Sequence, residues 1–108
     1  MDSRPPIGST FRHVVLFRWN QGITPEILNK ISDGLREMRD RIPVVREMVW
    51  GENVPANLRN EGFTHCLVVS FNTEADHDIY QAHPQHDAFR ALIAPYKEHV
   101  TVIDFWTV

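Results

Sequence analysis

The residues of this chain best suited to acid–base chemistry crowd into one short stretch, Tyr80-Gln81-Ala82-His83-Pro84-Gln85-His86. An imidazole can take up a proton near neutral pH because its ordinary pKa lies there. A tyrosine hydroxyl can donate a hydrogen bond to an oxygen that is gaining negative charge. On one continuous helix Tyr80 and His86 would point to different faces. Pro84 stands between them, and proline interrupts a helix because it lacks the amide hydrogen and clashes with the preceding turn. A break at His83-Pro84 therefore lets both side chains converge on one opening. Plainer readings are also open. Tyr80 can bury its ring and keep its hydroxyl wet, and His86 can be an unpartnered histidine at a helix start. His83 reads as a structural cap for the turn, and Pro84 as the first residue of a new helical segment.

The remaining histidines divide by context. His13 and His65 each sit in an apolar, alternating stretch. A histidine there is either a satisfied core group or, if both point to one interior, part of the polar lining of a pocket. His77 and His99 read as exposed. His83 and His86 are spaced for one helix face and Asp87 follows. No second pair of histidine or carboxylate residues has ligand spacing, so no metal centre is expected. The single cysteine, Cys66, excludes an intrachain disulfide and a cysteine-rich zinc site, and its apolar surroundings suit a packed thiol. Gly51 and Gly62 read as turn residues, and no glycine loop of the phosphate-cradling kind is present. Trp19, Trp50 and Trp106 read as core or interface anchors.

The elements that must position these residues emerge from periodicity. His13 to Trp19 alternates with apolar side chains on both faces, as a strand covered on two sides does. Thr24-Pro25 supplies an N-cap and a first-turn proline for a helix whose stripe is Ile27, Leu28, Ile31, Leu35, Met38 and Ile42, ended by Pro43. Val44 to Trp50 alternates as a second strand, and a polar connection covers 52–62. Phe63 to Phe71 is the clearest strand. Thr73-Glu74-Ala75-Asp76 resembles a capping box with Asp in place of Glu, and it opens the second helical region. That region is interrupted at His83-Pro84 and continues through Ala88, Phe89, Leu92 and Ile93. Val100 to Val108 closes the chain as a strand. The order β-α-β-β-α-β predicts an α+β, ferredoxin-like fold with one four-stranded antiparallel sheet and its helices on one face. Because both faces of the first and third strands are apolar, a second copy is expected to pack sheet against sheet.

Composition bounds the rest. The chain has 108 residues, 43% hydrophobic and 23% charged, which suits a single core. Residues 1–10 read as a flexible tail and 11–108 as one domain. A net charge of -3 and a pI near 6.0 with scattered basic residues argue against nucleic acid as a partner. No stretch has the pattern of a signal peptide or a membrane span, so a cytoplasmic protein is expected.

Taken in order, five segments resemble the stress-responsive A/B barrel (Dabb) family of the dimeric α/β-barrel superfamily. They are His13-Val14-Val15-Leu16-Phe17-Arg18, Val49-Trp50-Gly51-Glu52-Asn53, Glu61-Gly62-Phe63-Thr64-His65, Tyr80 to His86, and Val102-Ile103-Asp104-Phe105. The resemblance spans roughly His13 to Phe105. It implies a homodimer closed through the sheet faces, with no bound cofactor required. The family includes stress-induced proteins without an agreed reaction and a cyclase that closes a linear polyketide by aldol condensation. That cyclase's catalytic tyrosine and histidine fall on Tyr80 and His86, and its pocket histidines on His13 and His65. Where its first helix carries aromatic residues beside the pocket, this chain offers Ser32, Gly34 and Leu35. The resemblance thus implies a pocket for a small hydrophobic carbonyl compound and cofactor-free acid–base chemistry. The alternatives are a stable, non-catalytic stress-responsive dimer or, in the wider superfamily, a cofactor-free monooxygenase, which would need a pocket sized for a polycycle.

Overall fold

The computed structural model describes residues 5–108. Residues 1–4, which belong to the expected N-terminal tail, lie outside the described residues, and residues 5–10 carry neither helix nor strand. Beyond them the chain runs β1 (Phe11–Trp19), α1 (Pro25–Arg41), β2 (Glu47–Glu52), β3 (His65–Phe71), α2 (Glu74–Ala82), α3 (Pro84–Ile93) and β4 (Lys97–Trp106). The four strands form one antiparallel sheet in the order β2-β3-β1-β4. This is the ferredoxin-like α+β arrangement, with β1 and β3 at the centre.

Local chemistry sets the helix boundaries. Thr24 accepts a hydrogen bond from the Ile27 amide at 3.2 Å, and Pro25 occupies the first helical turn of α1. Thr73 does the same for α2, accepting from the Asp76 amide at 3.0 Å. His83 serves two helices. Its amide closes on the Tyr80 carbonyl at the end of α2, while its Nδ1 accepts from the Gln85 amide at 3.0 Å to start α3. The second strand begins later than its alternation suggests. Val44 and Val45 complete the turn after α1, with the Val45 amide bonded to the Ile42 carbonyl, and ladder pairing starts at Glu47.

Every second residue of β1 and β3 faces the helices. Phe11, Val15 and Phe17 from β1 pack with Leu67, Val69 and Phe71 from β3, under Ile31, Leu35 and Met38 of α1 and Phe89 and Ile93 of α3. The opposite face carries no helix among the described residues. Val14, Leu16, Cys66 and Val68 lie partly covered at its centre, while Val49, Ile103 and Phe105 stand exposed along it. α1 and α3 meet at Gly34, where a Cβ would lie 3.0 Å from Leu92 Cδ2 and 3.4 Å from Phe89 Cδ2. This close approach holds α3 against the sheet. Gly34→Val is therefore expected to destabilise the fold by about 1–3 kcal/mol through overpacking, as read from denaturant unfolding.

Candidate functional site

Two of the hollows among the described residues lie on opposite faces of the sheet. The larger, about 570 Å³, sits on the helix-free face between the 53–64 connection and Leu16, Val49, Cys66, Val68 and Thr101. Its floor is apolar, and burial raises the Cys66 thiol pKa, so little thiolate forms there. The smaller, about 160 Å³, lies between the sheet and α2/α3 and is lined by His13, Tyr80, His86, Arg90, Phe89 and Val102, among others. Size favours the first hollow, but the acid–base groups are in the second.

Strand register builds one wall of this cavity. His13 on β1 stands directly across from Asp104 on β4, so both side chains leave the same face. Their Nδ1 and Oδ1 atoms are 2.6 Å apart, a short charge-assisted contact, and His13 is 4% exposed. The opposite wall comes from α2. His77 and Tyr80 are three residues apart and share a helix face. The His77 ring lies 4.7 Å from that of His13, and the Tyr80 ring is edge-on to His13 at 5.9 Å. The break at His83-Pro84 then swings the first turn of α3 back, setting the His86 ring 4.8 Å from Tyr80, again edge-on. His86, Tyr80, His13 and Asp104 thus form a continuous row drawn from α3, α2, β1 and β4.

Electrostatics fix the protonation of two members. Tyr80 is 1% exposed, and burial pushes its hydroxyl pKa above the ordinary value, so it stays a hydrogen-bond donor. The His86 pKa falls, first through burial and then through the positive charge of Arg90 and the neighbouring His13, so its imidazole is neutral at neutral pH. Its Nδ1 is buried and has no hydrogen-bond partner among the described residues.

His65 is not brought to this cavity. It faces the helices but sits opposite Phe17, four residues along β1 from His13, or about 13 Å at strand rise. There its ring stacks on Trp50 at 5.1 Å. The expectation that His13 and His65 share one pocket fails because equal strand faces do not imply equal strand ends. Nor does α1 reach the cavity: Ser32 and Leu35 line a shallow groove beside Met48 and Trp50, and Gly34 packs on α3. His77, which reads as exposed from the sequence, is instead half-buried over Phe11, Phe71 and His13. Asp104 is not singled out by its sequence neighbours. The signal that could have found it is its position in β4, opposite His13 once the strands are registered.

Known proteins share this architecture. A stress-response A/B barrel domain protein of Arabidopsis thaliana, HS1, is 27% identical over 94 residues, covering 87% of this chain and 86% of that protein. Olivetolic acid cyclase of Cannabis sativa is 22% identical over 94 residues, covering 87% and 93%. A dimeric ferredoxin-like protein of unknown function from Thermobifida fusca superposes with a TM-score of 0.82 at 26% identity, covering 96% of this chain and 99% of that one.

His65 also supplies a pH dependence. Trp19 Nε1, which can only donate, bonds His65 Nδ1 at 3.1 Å, and the Thr64 hydroxyl lies 2.9 Å from the same nitrogen. Nδ1 must therefore be unprotonated, and burial lowers the His65 pKa despite the opposing charge of Glu52. The unfolded chain takes up this proton near the ordinary value of 6.5 while the folded chain resists it. Stability is thus full above that value and is lost as pH falls toward the lower folded pKa. The unfolding midpoint should drop between about pH 6.5 and pH 5, and His65→Gln should make that drop smaller, the remainder coming from His77 and His86, whose pKa values burial also lowers. Residues 11–107 match the model of the stress responsive A/B barrel domain, and the chain belongs to that family.

Proposed function

We propose that this chain is an acid–base enzyme that acts on a small carbonyl compound held in the cavity beside Tyr80 and His86. One observation carries the reading: a neutral, half-buried imidazole and a protonated, buried phenol lie edge to face on the wall of one cavity. A base must be unprotonated and an oxyanion donor protonated at the same pH, and burial shifts these two groups in the required directions. With Nδ1 enclosed by the protein, proton exchange with substrate falls to His86 Nε2. It removes a proton from the carbon next to the carbonyl while the Tyr80 hydroxyl hydrogen-bonds the oxygen that becomes an enolate. The enolate carbon then attacks a second carbonyl carbon, whose oxygen takes the proton back from His86 Nε2 as the carbon–carbon bond closes, or the same steps run backwards as carbon–carbon cleavage. His13, held by Asp104, lines the opposite wall and orients the carbonyl.

The relationship to olivetolic acid cyclase supports this class of chemistry, while the cavity argues for a different substrate. At about 160 Å³ it is below the roughly 300–1,000 Å³ of sites for drug-sized ligands, so the compound is small. The same volume argues against the monooxygenase reading. His86→Ala is expected to lower kcat/KM on an aldol-active carbonyl substrate by about 100-fold or more, with Tyr80→Phe lowering it by roughly tenfold or more. If neither variant changes turnover, or if no proton exchange next to a carbonyl occurs with the unaltered protein, the non-catalytic stress-response reading replaces this one.

The same proposal includes a homodimer through the helix-free face, so that the family's sheet-to-sheet barrel closes. The exposed row Val49, Ile103 and Phe105 supports it, as does the dimeric state of the Thermobifida relative. Sedimentation at micromolar concentration should give twice the chain mass. Ile103→Glu should raise the dissociation constant by about tenfold or more, because it buries a charge in an apolar contact.

A further inference from the structure

Beside the acid–base pair lies a second constellation that the proposed reaction does not use as a whole. His13, His77 and Asp104 come from β1, α2 and β4, and one ligand atom from each lies within 4.8 Å of the other two. The contact between His13 and Asp104 satisfies those two residues without His77. Yet His77 turns its ring to the same point, 4.7 Å from His13, where a helix-surface histidine could have faced solvent. Gln81, one helical turn on, holds the other side of the group, with its amide nitrogen 3.0 Å from His77 Nε2.

We infer that His13, His77 and Asp104 form a binding site for a divalent transition metal ion of the zinc class. Two imidazoles and one carboxylate are the donor set that such ions prefer, and they leave a coordination position for water or a ligand. Magnesium and calcium prefer all-oxygen shells and are poor matches. Ligands about 2.1 Å from a tetrahedral ion are roughly 3.4 Å apart, so His13 and Asp104 need separate by less than about 1 Å. The other atoms close from within 4.8 Å. The Asp104 carboxylate side chain, 36% exposed, gives the ion its route from solvent. Ligation through His77 Nδ1 would leave Nε2–H to donate to the Gln81 side-chain oxygen once that amide is turned over, the outer-shell contact that orients a ligating ring.

Calorimetric titration of tag-free protein with ZnCl2 near neutral pH should show a single saturable ion per chain, removable by a chelator. Co2+ should bind at the same stoichiometry with visible absorption from its d electrons, and Mg2+ should give no binding heat. His77→Ala should weaken Zn2+ binding by at least about tenfold, and Asp104→Asn similarly. His77→Gln on the helix surface serves if either of those variants fails to fold, judged by circular dichroism. Cys66→Ser and His86→Ala should leave Zn2+ affinity unchanged, which separates this site from thiol binding and from the acid–base pair. Absence of saturable Zn2+ and Co2+ binding overturns the inference. So does affinity that survives His77→Ala or His77→Gln in a folded protein, or that is lost with Cys66→Ser.

Discussion

A four-stranded sheet presents two faces, and the βαββαβ order sends all three helices to the same one. That asymmetry divides the molecule into an enclosed side and an open side. On the covered face the alternating residues of β1 and β3 reach nearly complete burial against α1 and α3. On the other, Val49, Ile103 and Phe105 remain in water. Water does not favour a continuous apolar row, so the open face is where assembly is expected and the covered face is where chemistry can be enclosed.

Within the covered face, a single backbone fault creates the site. An unbroken helix from Glu74 to Ile93 would carry Tyr80 and His86 to different sides. Pro84 forbids that helix, and His83 repairs the two loose ends by closing α2 with its amide and opening α3 with its ring. The redirected α3 leaves a gap beside Tyr80 that its own Phe89, Arg90 and Ile93 only partly fill. Burial then works on the two polar groups in opposite senses, holding the phenol protonated and the imidazole neutral. Position and protonation state are consequences of the same enclosure.

His13 stands at the junction of two constellations. Toward α3 it belongs to the row that includes Tyr80 and His86, and toward β4 it pairs with Asp104 beneath His77. A residue shared in this way couples the cavity to whatever occupies the His77 side. Any ion held there would fix the His13 ring and so alter the wall that faces the substrate.

Much of the fold was legible in the sequence because its signals are local. Thr24-Pro25, Thr73 through Asp76, and His83-Pro84 each act within a few residues, and alternation in β1 and β3 marks their covered faces directly. The resemblance carried by the Tyr80 to His86 segment and its companions identified the family. The site was legible only in part. Tyr80 and His86 are close in sequence, so a proline suffices to relate them. Asp104 meets His13 through strand register across 91 positions, and His77 joins them only because α2 lies over that end of the sheet. His65 shares His13's periodicity yet lies at the other end, since alternation fixes which face a side chain leaves but not how far along the strand it stands. The sequence by itself determined the elements, their order and the break that forms the pair. Tertiary structure alone decided which histidines meet, because that depends on the register of strands and the docking of helices, which no local pattern encodes.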